Sequence, residues 1–186
     1  MLQVQHEAGK GFQARRLMVI GITVMTMAVM VVTAQPAWAP TNPVAYIEAM
    51  SHPRHTAVVL DVAGWATHDG ARVQMWPWLS PPATNQQWRV NNPAMGAWTT
   101  LVGVHSNKCL DESAPRNGAT VYIYRCTGAA NQQWISESPS YDVIRLRNRQ
   151  DGRCLDIRGV SPNDGASLQV WDCHGGWNQN FGLIFG

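Results

Sequence analysis

The sequence predicts an all-β fold, a β-trefoil in which three four-stranded lobes share one core. Three observations predict it. One unit is written three times from residue 44 onward, each copy divides into short strands punctuated by turn residues, and no stretch sustains a helical period. The copies are plainest at their ends: Asn85-Gln86-Gln87-Trp88, Asn131-Gln132-Gln133-Trp134 and Asn178-Gln179-Asn180-Phe181. Upstream of these lie Val59-Leu60-Asp61, Cys109-Leu110-Asp111 and Cys154-Leu155-Asp156. Between the two marks, Gly70, Gly118 and Gly165 are each followed six residues later by an aromatic, Trp76, Tyr124 and Trp171.

The third copy justifies the strand count. Val143–Leu146, Cys154–Ile157, Leu168–Trp171 and Asn180–Ile184 are rich in apolar residues. Asp151-Gly152, Pro162–Gly165 and Gly175-Gly176 separate them, because Gly accepts positive φ and Asp or Asn bonds its own backbone. Four such strands cannot bury an apolar face alone, so three copies must close one core. The same marks divide the chain into repeats of about 44–92, 93–138 and 139–186, after a short leader over 40–43.

The first 39 residues stand apart. Lys10, Arg15 and Arg16 lead into the uncharged apolar run Leu17–Ala34, and the small-residue patterns Val32-x-Ala34 and Ala37-x-Ala39 follow. This is the layout of a cleaved secretory signal peptide, with an uncleaved membrane anchor as the alternative. Either way the remainder is expected outside the cytoplasm, where disulfides persist. The formal net charge of +2 disappears past Ala39, since those three basic residues are opposed there only by Glu7. A neutral remainder, in a chain with 14% charged and 45% hydrophobic residues, argues against disorder and against a nucleic-acid partner.

A Gln-x-Trp ending repeated in phase with an upstream Cys-Leu-Asp resembles the ricin B-type lectins, a carbohydrate-binding module also found appended to bacterial xylanases. The resemblance covers residues 44–186. It implies a β-trefoil that binds oligo- or polysaccharide, of xylan-like or galactose-containing type, without catalysis, metal or other cofactor; with the N-terminal segment read as a signal peptide, a secreted protein is expected, and a monomer. A membrane partner is expected only if the N-terminal segment is retained. The cysteines keep the same register. Cys109 and Cys154 lie two before Asp111 and Asp156, while Cys126 and Cys173 lie two after Tyr124 and Trp171. Of the three possible pairings, equivalent positions select Cys109–Cys126 and Cys154–Cys173. In the first repeat Val59 and Trp78 hold these positions, and an apolar contact is expected in place of a bridge.

A sugar ring presents hydroxyls at its rim and C–H groups on its faces, so binding needs an aromatic platform and a fixed, preferably charged, acceptor. Each lobe offers that set: Asp61, Trp76, Asn85 and Gln86; Asp111, Tyr124, Asn131 and Gln132; Asp156, Trp171, Asn178 and Gln179. By the resemblance, the Asp accepts from sugar hydroxyls, the aromatic stacks, the Asn bonds hydroxyls and the Gln braces the Asp. His174 matches a further position able to touch sugar. The carboxylates are expected at the surface mouths of the lobes, whereas Trp88, Trp134 and Phe181 belong to the core. The third lobe is the most complete, and the second has a shorter Asp-to-Gly span. Trp65, Trp98 and Trp177 have no assigned place. A glycosidase would need two carboxylates flanking one bond, and the recurring acids come one per lobe. A protein-binding trefoil without sugar affinity is the alternative, because fold alone does not dictate function.

Overall fold

A computed structural model describes residues 42–186, apart from residues 55 and 56. The signal-peptide expectation and its anchor alternative fall on residues 1–39, outside the described ones. Among the described residues no helix is long and apolar enough to cross a membrane.

The first lobe contains β1 (Val44–Ala49), β2 (Val58–Val62), β3 (Ala71–Pro77) and β4 (Trp88–Val90). The second contains β5 (Trp98–Thr99), β6 (Leu101–Gly103), β7 (Cys109–Glu112), β8 (Val121–Tyr124) and β9 (Trp134–Ser140). The third contains β10 (Val143–Asn148), β11 (Cys154–Ile157), β12 (Ala166–Trp171) and β13 (Phe181–Phe185). Among the described residues thirteen strands stand where twelve were expected, because one strand changes partner at Thr100. Thr99 pairs with Trp134 of β9, and Leu101 pairs with Val90 of β4.

The first and last strands of the lobes close a barrel: β1 pairs with β4 and β13, β10 with β13 and β9, and β5/β6 joins β9 to β4. The middle strands form three hairpins, β2–β3, β7–β8 and β11–β12. Their tips interlock through the glycines marked in the sequence. Gly70, Gly118 and Gly165 all have φ +80°, a conformation that favours Gly, and each N–H bonds the next hairpin, at Ile123, Val170 and Met75 respectively. The β-trefoil is therefore present, with an approximate threefold axis through barrel and hairpins.

The core repeats with the same symmetry. Leu60, Leu110 and Leu155 are fully buried, as are Val73, Val121 and Leu168, and Trp88, Trp134 and Phe181. The Trp88 and Trp134 indole N–H groups donate to the carbonyls of Leu60 and Leu110 at 3.2 and 3.0 Å, so their polar atoms do not oppose burial. Cys109 is bonded to Cys126 and Cys154 to Cys173, each tying a middle strand to the loop that follows its hairpin. Closures of this size stabilise by on the order of 3 kcal/mol in the chain-entropy model. In the first lobe, Trp78 instead stacks on Tyr46 of β1 with ring centroids 4.5 Å apart, while Val59 is buried opposite Trp76.

Candidate functional site

Each middle hairpin carries its carboxylate at an equivalent register position. Asp61 faces Gln74, Asp111 faces Tyr122, and Asp156 faces Gln169 across the strand pair. Short 3-10 turns at Thr84–Gln86, Ala130–Gln132 and Trp177–Gln179 then bring the Asn-Gln pair of each lobe against that carboxylate. In the third lobe Gln169 Nε2 donates to Asp156 Oδ1 at 2.8 Å. Asn178 Nδ2 and Gln179 Nε2 donate to Oδ2 at 2.7 and 3.0 Å. The first lobe repeats this with Gln74 on Asp61 Oδ1, and Asn85 and Gln86 on Oδ2, at 3.0, 2.8 and 3.1 Å. In the second, Asn131 and Gln132 bond separate oxygens of Asp111 at 3.0 and 2.8 Å, and Tyr122 lies opposite it across the strand pair.

One expectation changes as a result. The carboxylates are not at the mouths of the lobes; Asp156 is only 2% exposed, and Asp61 and Asp111 are similarly buried. They form the floor of each site, where three side-chain donors converge on Asp61 and Asp156 and two on Asp111. The glutamines Gln86, Gln132 and Gln179 are wholly buried, so they act from behind the carboxylate. Each also accepts the backbone N–H three residues after its lobe's aromatic (Leu79, Thr127 and His174) and donates to the carbonyl of Pro77, Arg125 or Asp172. Gln74, Tyr122 and Gln169 were missed from sequence. Their signal was available, because each lies two before its lobe's aromatic and therefore on the same face of the strand.

Burial pushes the Asp61 and Asp111 carboxyls up from their usual range, and the hydrogen bonds they accept pull the other way. A carboxylate offers about four lone-pair sites. Three amide donors leave one on Asp156 Oδ1, on the oxygen that only Gln169 engages.

Above the floor the lobes diverge. In the third, Asp156, Gly159, Val160, Gln169, Trp171 and His174 help to line a recess of about 300 Å³. Trp171 is 40% exposed. His174 Nδ1 accepts the Gly176 N–H at 3.0 Å, which places the proton of the neutral ring on Nε2, 3.4 Å from Asp156 Oδ2. In the second lobe Arg125 lies over the Tyr124 ring, 5.3 Å from its centroid, and covers part of it. The shorter span predicted there closes directly, with the Ser113 N–H on the Thr120 carbonyl. The first and third lobes use the extra residues for matching 3-10 turns, Ala63–Trp65 and Arg158–Val160. Of the unassigned tryptophans, Trp177 packs partly buried against the core and meets His52 edge-on, and Trp98 lies under Arg149. Trp65 sits in the first lobe's turn.

The second lobe also holds a buried acid. Glu112 is 1% exposed, neither of its carboxyl oxygens has a hydrogen-bond partner, and Asp151 of the third lobe faces it. Burial first, then the Asp151 charge, push its pKa up to about 8. The fold therefore keeps a proton that the unfolded chain releases near the ordinary glutamate value of 4.5. The contribution of Glu112 to stability is full below the lower value and falls as pH rises between the two. Glu112→Gln is expected to raise stability by about 2–4 kcal/mol at pH 9 and to change it little near pH 4. Denaturant melts of both proteins across this range check it; parallel pH profiles would refute it.

Comparison with known proteins follows the same lines. A family model described as ricin-type beta-trefoil lectin domain-like matches residues 84–171. The designed threefold-symmetric protein ThreeFoil is 33% identical, with a TM-score of 0.68, over 76% of this chain and 97% of its own. The Macrolepiota procera ricin B-like lectin, solved in complex with lactose, superposes with a TM-score of 0.63 at 20% identity, over 78% and 97% of the two chains. The probable lipoprotein EnvE of Salmonella typhimurium is 28% identical over 68 residues, 36% of each chain. This chain thus matches little more than a third of that curated relative.

Proposed function

Because this chain belongs to the ricin-type β-trefoil lectin domain-like family, we propose that it is a non-catalytic lectin that binds carbohydrate through its lobes, the third foremost. One observation carries the reading: a buried carboxylate, held by converging amide donors, lies beneath an exposed aromatic ring and repeats around the threefold axis. The free lone pair on Asp156 Oδ1 accepts one sugar hydroxyl. Asn178 and the Nε2–H of His174 serve neighbouring hydroxyls, while the C–H face of the ring rests on Trp171. The charged acceptor is fixed before the ligand arrives, so little ordering cost accompanies binding.

Shallow single sites bind weakly, and three on one domain gain by multivalency on a polymer, by roughly 10² or more when geometry permits. The ligand class is an oligo- or polysaccharide with galactose- or xylose-type units, and the protein acts as a secreted monomer. Two disulfides suit an oxidising compartment. The test is a glycan-array screen and titration calorimetry with the purified domain and its Trp171→Ala variant. Retention on a defined glycan, weakened at least several-fold by Trp171→Ala with an unchanged melt, is expected. A folded domain that retains no glycan would favour the protein-binding trefoil instead.

A further inference from the structure

The first lobe differs from the third at one wall of its recess, and the difference has a chemical meaning. Ala63-Gly64-Trp65 and Arg158-Gly159-Val160 follow their carboxylates at the same distance and form the same turn. Their backbones agree closely: Gly64 and Gly159 have φ 63° and 66°, Trp65 and Val160 have φ 57° and 52°. Positive φ is costly for bulky residues, so the turn is imposed by its surroundings in both lobes. In the third lobe Gly159 and Val160 line the recess together with Trp171. In the first, an indole takes the place of the valine.

That indole is held rather than free to wander. His105, from the turn between β6 and β7, meets Trp65 edge-on with centroids 6.1 Å apart at 81°. His105 is itself anchored through Nε2 at 3.0 Å from the carbonyl of Ala66, the residue after the turn. Trp65 nevertheless remains 53% exposed, and Trp76, the lobe's other aromatic, is also exposed. The hairpin register sets the two apart. Trp76 pairs with Val59 at one end, Asp61 pairs with Gln74 between, and Trp65 follows Val62 at the other end. The equivalent third-lobe pair, Val160 and Trp171, lines one recess of about 300 Å³, and the matching turn gives Trp65 and Trp76 the corresponding places in the first lobe.

Resting on the carbohydrate reading above, we propose that the first lobe is a two-walled site, Trp65 and Trp76, selective for β-linked sugars whose ring substituents are all equatorial. Such a pyranose projects axial C–H groups from both faces, so both can meet an aromatic surface. A galacto-configured ring carries an axial hydroxyl at C4 and is apolar mainly on one face, which suits the single indole of the third lobe. The second lobe has neither feature, since it lacks the turn and its Tyr124 is partly covered by Arg125.

The experiment isolates the lobes. A first-lobe protein (Tyr124→Ala, Trp171→Ala) and a third-lobe protein (Trp76→Ala, Tyr124→Ala) are titrated with cellohexaose and lactose, with thermal melts as the folding control. The first-lobe protein is expected to bind cellohexaose about tenfold or more tighter than lactose. Trp65→Val, which installs the residue the third lobe uses in this turn, is expected to abolish that preference. It should leave the third-lobe protein's affinities unchanged. Unchanged cellohexaose affinity after Trp65→Val overturns the proposal; so does increased affinity, which would make the indole a lid. If the third-lobe protein binds and the first-lobe protein does not, this proposal alone fails. If neither they nor the parent bind either probe or any array glycan, the carbohydrate reading fails with it.

Discussion

Trp134→Ala is expected to destabilise the domain by about 3–5 kcal/mol, the largest single effect anticipated here. The ring is wholly buried at the start of β9, paired with both Thr99 and Asn148 where the second and third lobes meet. Truncation removes a large apolar surface, and strands on three sides hold the resulting cavity open. It also deprives the Leu110 carbonyl of its indole donor. For a domain of this size the melting temperature should fall by roughly 10–20 °C. Trp134→Phe, the residue type found at this position in the third lobe, should cost only about 1–2 kcal/mol, mainly through the lost hydrogen bond. Calorimetric melts of the two variants separate the contributions. Equal losses would mean that the indole N–H, rather than the buried volume, dominates.

Asp156→Ala is expected to abolish third-lobe binding and also to destabilise the fold by about 2–4 kcal/mol. The second effect follows from the carboxylate's position on the floor of the site. Its removal leaves Gln169, Asn178 and Gln179 with buried amide donors and no common acceptor. Asp156→Asn should be little better, because its amide end adds a fourth donor to a cluster short of acceptors. Trp171→Ala is the contrasting case. Its exposed ring should account for binding at a stability cost of no more than about 1 kcal/mol. Melts paired with titrations of the three variants check the distinction. If Asp156→Ala melted like the parent, the amide cluster would not depend on the carboxylate.

Several features were legible in the sequence because they are periodic. Strand boundaries follow turn residues, and the glycines at 70, 118 and 165 mark positions where φ must be positive. The cysteine pairs follow from equivalence between repeats, as does the burial of Trp88, Trp134 and Phe181. A threefold copy lets each position be read three times, so local ambiguity averages out. This is why the β-trefoil and its candidate lobes are legible in the sequence itself.

Tertiary structure decided what depends on approach between segments distant in the chain. The Asp-x-x-Gly context alone looks like an exposed turn. Only when Asn178 and Gln179 fold back over β11 does Asp156 become a buried acceptor. Gln169 joins it through strand register, which no single strand encodes. Glu112 has its proton affinity raised because the fold buries it and the third lobe then brings the Asp151 charge against it. Trp65 gains a fixed wall only because His105 reaches it from the second lobe. Repetition within the chain thus determines architecture. The differences among the lobes arise at their borders, where neighbouring repeats supply non-equivalent side chains and set burial and charge.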